Sequence, residues 1–177
     1  MQLEQKRGLN IKSKIRKNYS YLAQGTKVKT KEPIPYQEGM VGIPGDGRCM
    51  FRSVVYGACL RKGDPPPSLT RQKELADELR AKVVDEFIKR RVDTEWFLEG
   101  DFNTYTVQMR KAQVWGGEPE LLMSSHVLQM PITVVMQDTN SNNLKIIAEY
   151  GQEYGKENPI RVIYDGFGHY DVLKCST

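Results

Sequence analysis

Gly45-Asp46-Gly47-Arg48-Cys49-Met50-Phe51-Arg52-Ser53 runs from a glycine-bracketed turn straight into an apolar segment. Two glycines around an aspartate mark a tight turn. From Cys49 to Leu60 the apolar residues Met50, Phe51, Val54, Val55, Tyr56, Ala58 and Cys59 fall nearly all round a helical projection. A helix that is apolar on every side belongs inside a core. Cys49 is therefore expected on the first turn of a buried central helix. Upstream, Val41-Gly42-Ile43 reads as a short extended entry, and Pro33 and Pro35 close a leader.

Downstream, Gly63-Asp64-Pro65-Pro66-Pro67 cannot be helix interior and reads as a loop. Thr70 is the expected N-cap of the next helix. There Leu75, Leu79, Val83 and Phe87 recur at i+4, with Ala76, Val84 and Ile88 widening the stripe as far as about Arg91. Asp93 is expected to cap a short helix through Trp96 and Leu98, and another helix is expected over about 103–114. Gly116-Gly117 breaks it, and Pro119 suits the first turn of a helix over about 118–128. After Pro131 the texture becomes β-branched and apolar, in runs at 132–136, 144–148, 160–164 and 170–173, with Asn140-Ser141-Asn142-Asn143 as a turn. Helices first and strands later predict an α+β fold, helices packed on a small, mostly antiparallel sheet.

The chain has 177 residues, 39% hydrophobic and 27% charged, which suits one globular domain with extra length. No apolar run approaches the ~18 residues of a membrane span, and no secretory signal is visible. Cys49, Cys59 and Cys175 are an odd set without paired spacing, which argues against a disulfide framework and for a reducing intracellular compartment, cytoplasm or nucleus. Charge is uneven. Residues 1–39 hold nine Lys/Arg against three acids, more than the whole chain's net +4, so the remainder is slightly acidic. The division expected is a basic N-terminal extension, 1–39, and a catalytic domain, 40–177. A basic arm is capable of touching nucleic acid or an anionic surface, although charge runs usually mean only a solvated extension. It is too lysine-rich for a transit peptide, and the chain is compatible with being a piece of a longer protein.

A thiol at a helix start gains from unpaired N–H groups and the helix dipole, and an imidazolium nearby would favour the thiolate further. Gly168-His169-Tyr170-Asp171 offers an imidazole and a carboxylate two residues apart. On a strand those side chains share one face. Asp171 is then placed to accept the Nδ1 proton of His169 and leave Nε2 toward sulfur. Asp46 is the second candidate acid. It could fix its turn through backbone N–H bonds, or its own amide could line an oxyanion hole with that of Cys49. Cys59 reads as a small buried hydrophobe, Cys175 as incidental and His126 as structural. No paired Cys/His spacing suggests a metal. Pro44 interrupts any dinucleotide fingerprint in 42–47, and Asp165-Gly166-Phe167-Gly168 resembles a kinase triplet only superficially.

Three blocks together resemble the OTU (ovarian tumour) family of deubiquitinating cysteine proteases, in order and over about residues 40–174: Gly45 to Ser53 its nucleophile motif, Trp115-Gly116-Gly117 with Glu120-Leu121 its central block, and Gly168 to Asp171 its histidine motif. The resemblance implies a papain-like fold and hydrolysis of the bond between a ubiquitin C-terminus and a lysine. It makes Cys49 the nucleophile, His169 the general base and Asp171 the favoured third member. Asp46 is the motif acid often counted with the catalytic set, and backbone amides across Asp46, Gly47, Arg48 and Cys49 hold the oxyanion. Trp115, Gly116 and Gly117 would wall a narrow channel for the two-glycine tail, or Trp115 would be a core residue capping a helix break, the reading favoured here. Met50 stands where members often carry Asn or Leu. No metal or organic cofactor is implied, ubiquitin or polyubiquitin is the implied partner, and a monomer is expected. The rival readings are a catalytically silent ubiquitin-binding module and a protease for another ubiquitin-like modifier.

Overall fold

The computed structural model describes residues 39–174, together with the backbone of a two-residue strand, β1, at Ile34–Pro35. Cys175 and nearly all of the basic leader lie outside the described residues. A helix apolar on every side must be covered on every side, and the architecture follows from that requirement. Helix α1, Cys49–Lys62, buries every residue from Cys49 to Ala58. Helix α2, Leu69–Lys89, packs along one flank, while strands β5, Ile160–Tyr164, and β6, Tyr170–Leu173, pack along the other. Gly57 permits the close approach to the sheet, because a Cβ there would lie 2.7 Å from Ile160 Cγ2. Phe51 and Phe87 are fully buried between these layers, each worth about 1.5–3 kcal/mol of transfer free energy. The helix stops at Gly63, whose φ of 79° is the left-handed conformation that favours glycine.

The sheet holds six strands in the order β1-β4-β3-β5-β6-β2, with β2 at Met40–Val41, β3 at Ile132–Gln137 and β4 at Asn143–Tyr150. Every neighbouring pair is antiparallel except β3 and β5, which run parallel. Alternation along β3 puts Val134 toward the helices, while Val135 joins Leu144, Ile163 and Leu173 in a second small cluster. The β2–β6 pairing, Met40 opposite Leu173 and Val41 opposite Val172, matters most for the site. It lays the chain entering the Gly45–Arg48 turn beside the strand that follows His169.

Several elements differ from their sequence expectation. Ser68, not Thr70, caps α2, its hydroxyl accepting the Arg71 N–H at 3.2 Å. The buried stripe of α2 takes in Gln72 and Arg80 and leaves Ile88 half exposed, because the apolar face drifts round a 3.6-residue helix. Asp93 lies inside a one-turn helix, α3, at Arg91–Thr94, and caps nothing beyond it. Helix α4 spans Phe102–Met109, starting at an Asp101 cap and ending five residues before Val114. The carbonyls of Met109, Ala112 and Val114 all turn to Arg80 instead of continuing the helix. Helix α5, Glu118–Leu128, has the expected bounds, with Pro119 in its first turn. Among the described residues, no helix is long and apolar enough to cross a membrane.

Candidate active site

Cys49 begins α1 and His169 immediately precedes β6, so the α1–β6 packing sets the start of the helix beside the chain that carries His169, 120 residues away. Ser53, one turn into α1, donates its hydroxyl to the Tyr170 carbonyl at 3.0 Å and fixes that contact. The sulfur consequently sits against the backbone on both sides of His169. Its S–H donates to the Gly168 carbonyl at 3.8 Å, while the Tyr170 and Met50 amides point toward it. No side chain caps the start of α1, so the first-turn Met50 amide stays available to the sulfur.

The electrostatics at sulfur differ from the expectation. Burial pushes the Cys49 thiol pKa up. The Tyr170 and Met50 amides oppose the rise, and the charges of Asp171 and Asp46 add to it. Desolvation outweighs the helix start, so the resting sulfur is a neutral thiol.

His169 and Asp171 meet as their spacing allows, but through the other ring nitrogen. The Nε2–H of His169 donates to Asp171 Oδ1 at 2.9 Å, which leaves Nδ1 as the nitrogen without that carboxylate. Asp171 Oδ1 also accepts the Ile43 N–H at 2.8 Å, which ties the entry to the nucleophile turn. The Asp165 carboxylate braces the histidine turn, accepting the Phe167 and His169 amides at 2.7 and 3.0 Å.

Asp46 has different partners. Its Oδ1 accepts the Arg48 amide at 3.1 Å, and its Oδ2 accepts Nε and Nη2 of Arg52 at 3.1 and 2.7 Å. Burial works to raise its pKa, yet these bonds and the charges of Arg52 and Arg48 together hold it below the usual carboxylate value. Asp46 thus fixes its own turn and does not reach the imidazole. The Arg48 amide is consumed in that bond, and the Arg48 side chain donates to Asp77 at 2.7 Å. Arg48 is therefore not a free oxyanion donor. Gly47 holds φ of 82°, and a Cβ there would lie 2.7 Å from Gln113 Cα.

Trp115 is 65% exposed, which overturns its reading as a core residue. Its ring covers Gly168, where a Cβ would lie 2.6 Å from Trp115 Cζ3, so the indole stands beside the histidine turn. Gly116 packs on the start of α1, against Met50 and Phe51. The Gly117 amide donates to Glu120 Oε2 at 2.7 Å. Phe167, on the histidine turn, is 88% exposed.

Sequence reasoning missed two buried charged residues. Arg80 reads as a polar position on an amphipathic helix, yet it reaches Gly47 and the 109–114 segment. Glu120 reads as a helix-start acid, yet it is fully buried, accepts the Tyr105 hydroxyl, and burial raises its pKa to about 7. His126 is buried on α5 with Nδ1 2.9 Å from the Tyr154 hydroxyl. Among the described residues, no group of three or more His, Cys, Asp or Glu is placed to hold a metal.

Comparison with known proteins points one way. The family model described as OTU-like cysteine protease matches residues 44–170. A protein of Arabidopsis thaliana, OVARIAN TUMOR DOMAIN-containing deubiquitinating enzyme 4, is 66% identical over 134 residues, covering 76% of this chain and 42% of its own length. A second Arabidopsis thaliana protein, OVARIAN TUMOR DOMAIN-containing deubiquitinating enzyme 3, is 30% identical over 158 residues, covering 75% of this chain and 66% of its own. The chain thus spans about two fifths and two thirds of these relatives. Among solved structures, the OTUD1 OTU domain superposes with a TM-score of 0.62 at 22% identity, covering 92% of this chain and 95% of that one. The Hazara virus OTU bound to ubiquitin superposes with a TM-score of 0.61 at 18% identity, covering 86% and 94%. At those identities the structural likeness establishes the fold.

Proposed function

This chain belongs to the OTU-like cysteine protease family, and from that premise we propose that it hydrolyses isopeptide bonds at the C-terminal glycine of ubiquitin. The observation that supports the reading is a helix-start thiol lying against the Gly168 carbonyl and the Tyr170 amide, the backbone on either side of an imidazole whose Nε2–H Asp171 holds. Cys49 is the nucleophile, His169 the general base and Asp171 its orienting acid.

With Nε2–H held by Asp171, Nδ1 is the nitrogen that takes the thiol proton. Because the resting sulfur is neutral, that transfer accompanies attack on the glycyl carbonyl. The carbonyl oxygen becomes an oxyanion facing the turn at 46–49, where the Asp46, Gly47 and Cys49 amides are the donors and the Arg48 amide, held by Asp46, is not. His169 then gives its proton to the departing lysine amine, leaving a thioester on Cys49. Water, deprotonated by His169, cleaves the thioester and releases the ubiquitin carboxylate. The sequence of steps needs neither metal nor organic cofactor.

Trp115, Gly116 and Gly117 form one wall of the channel for the ubiquitin tail. The exposed indole over Gly168 supplies an apolar face next to the histidine, and glycines beside it leave room for a main chain without side chains. Residues 40–177 act as the catalytic unit, a monomer in an intracellular reducing compartment, with 1–39 as a basic arm whose Ile34–Pro35 pair with the sheet edge at β4.

A panel of di-ubiquitins and one ubiquitin-like conjugate, incubated with the wild-type chain and with Cys49→Ala, tests the proposal. Mono-ubiquitin is expected to appear with the wild type alone. Ubiquitin binding without cleavage contradicts it in favour of a silent module, and cleavage of the ubiquitin-like conjugate alone reassigns the substrate.

A further inference from the structure

Arg80 projects from the middle of α2 into the interior and is 2% exposed. Nη1 donates to the carbonyls of Met109 and Val114 at 3.0 and 2.8 Å, and Nη2 to those of Gly47 and Ala112 at 3.0 and 2.9 Å. Nη1 also lies 3.6 Å from Met109 Sδ, and the guanidinium carbon stands 4.5 Å from the centre of the Phe51 ring. All four oxygen acceptors are backbone carbonyls, and Nε is buried without a hydrogen-bond partner. Burying a cation this way costs several kcal/mol. An apolar side chain of similar volume would hold α2 against α1 at less cost. What an apolar side chain cannot do is join two separate stretches of backbone.

The two stretches are those of the site. Gly47 C=O and Arg48 N–H belong to one peptide group. Arg80 holds the oxygen and Asp46 the nitrogen, so that peptide cannot rotate. The next amide in the chain is that of Cys49. The other three carbonyls belong to 109–114, the strap that leads into Trp115. Gly47 lets the strap approach because it has no Cβ to strike Gln113. Strap and turn are thus one body, with Arg80 as the joint.

We propose that Arg80 is a positioning residue. Its guanidinium fork locks the nucleophile turn to the Trp115 strap, and so sets the oxyanion amides and the channel wall in one fixed relation. The proposal rests on the hydrolase reading above. Lysine cannot substitute, since one ammonium lacks the planar fork that reaches four carbonyls on two segments.

Arg80→Lys and Arg80→Met in the full chain test it through two readouts: hydrogen exchange by peptide, and kcat and KM on a fluorogenic ubiquitin C-terminal amide. Exchange is expected to rise together at 45–50 and 109–117 while the sheet strands at 132–164 keep their protection. The kcat/KM is expected to fall about tenfold to a hundredfold, mostly in kcat, because a misplaced oxyanion donor weakens the transition state more than the bound substrate. Wild-type kcat in Arg80→Lys overturns the proposal. So does exchange that rises across the whole domain, or in one segment only. If Arg80→Met does not fold, Arg80→Lys carries the test. A wild-type chain that hydrolyses nothing refutes the hydrolase reading separately, and the exchange pattern then decides whether Arg80 joins the two segments.

Discussion

One oxygen, Asp171 Oδ1, accepts both the His169 Nε2–H and the Ile43 N–H. An asparagine there offers a carbonyl oxygen in the same place and can keep both bonds, whereas alanine removes both. Asp171→Ala is therefore expected to lower kcat by at least about tenfold through a disordered imidazole, and Asp171→Asn to lose clearly less. Steady-state kinetics of the two variants check this, and equal losses contradict it. At sulfur, burial against the Tyr170 and Met50 amides leaves a neutral thiol. Iodoacetamide is expected to alkylate Cys49 more slowly at pH 7 than a free cysteine, with a rate still rising in the alkaline range. The signal is isolated by subtracting the Cys49→Ala background, which retains Cys59 and Cys175. A rate that levels off below pH 7 would mean a preformed thiolate. Spacing in the sequence made the pairing of His169 with Asp171 possible, and the fold supplies it. Which ring nitrogen pairs is not encoded by spacing.

Helix α5 opens with two acids, and the fold treats them unlike surface residues. Glu120 accepts the Gly117 amide and the Tyr105 hydroxyl inside the core, and Glu118 accepts the Tyr150 hydroxyl. Burial raises Glu120 from its ordinary 4.5 to about 7. A carboxyl with a raised folded-state pKa gives stability that is fully present below pH 4.5 and is lost as the pH climbs through 7. The difference between the ends of that window is roughly 3 kcal/mol for this group. Glu120→Gln, neutral throughout, is expected to gain on the wild type between pH 5 and pH 8. Urea unfolding at both values measures it, and an unchanged difference between the two proteins contradicts the assignment. The same element explains what could be read in advance. Strands β5 and β6 and helix α5 have the bounds their apolar runs and Pro119 imply, because local pattern and tertiary burial agree there. Helix α4 stops early, where the Met109 carbonyl turns to Arg80; Arg80 lies in line with Ala76 and Val84 on the stripe, but its charge argued for solvent.

Across the molecule, function depends on two ends of the domain meeting. The β2–β6 pairing and the Ser53 bond bring the turn before α1 alongside the chain around His169, and the Trp115 strap closes over Gly168 from a third direction. The α+β class was legible because buried helix and β-branched strand differ strongly in composition, and the order of the motif blocks through the family resemblance. The exposure of Trp115 was not, since a tryptophan beside two glycines suits a core as well as a channel wall, and the core reading favoured from sequence proved wrong. The claim on which the account turns is that Cys49 attacks the ubiquitin C-terminus with His169 as its base. Ubiquitin carrying a C-terminal electrophile, incubated with the chain and read by intact mass and peptide mapping, measures it most directly. The account predicts one ubiquitin per chain, attached at Cys49, formed far more slowly in His169→Ala and not at all in Cys49→Ala. An adduct on Cys59 or Cys175, or none with the folded wild type, would contradict it.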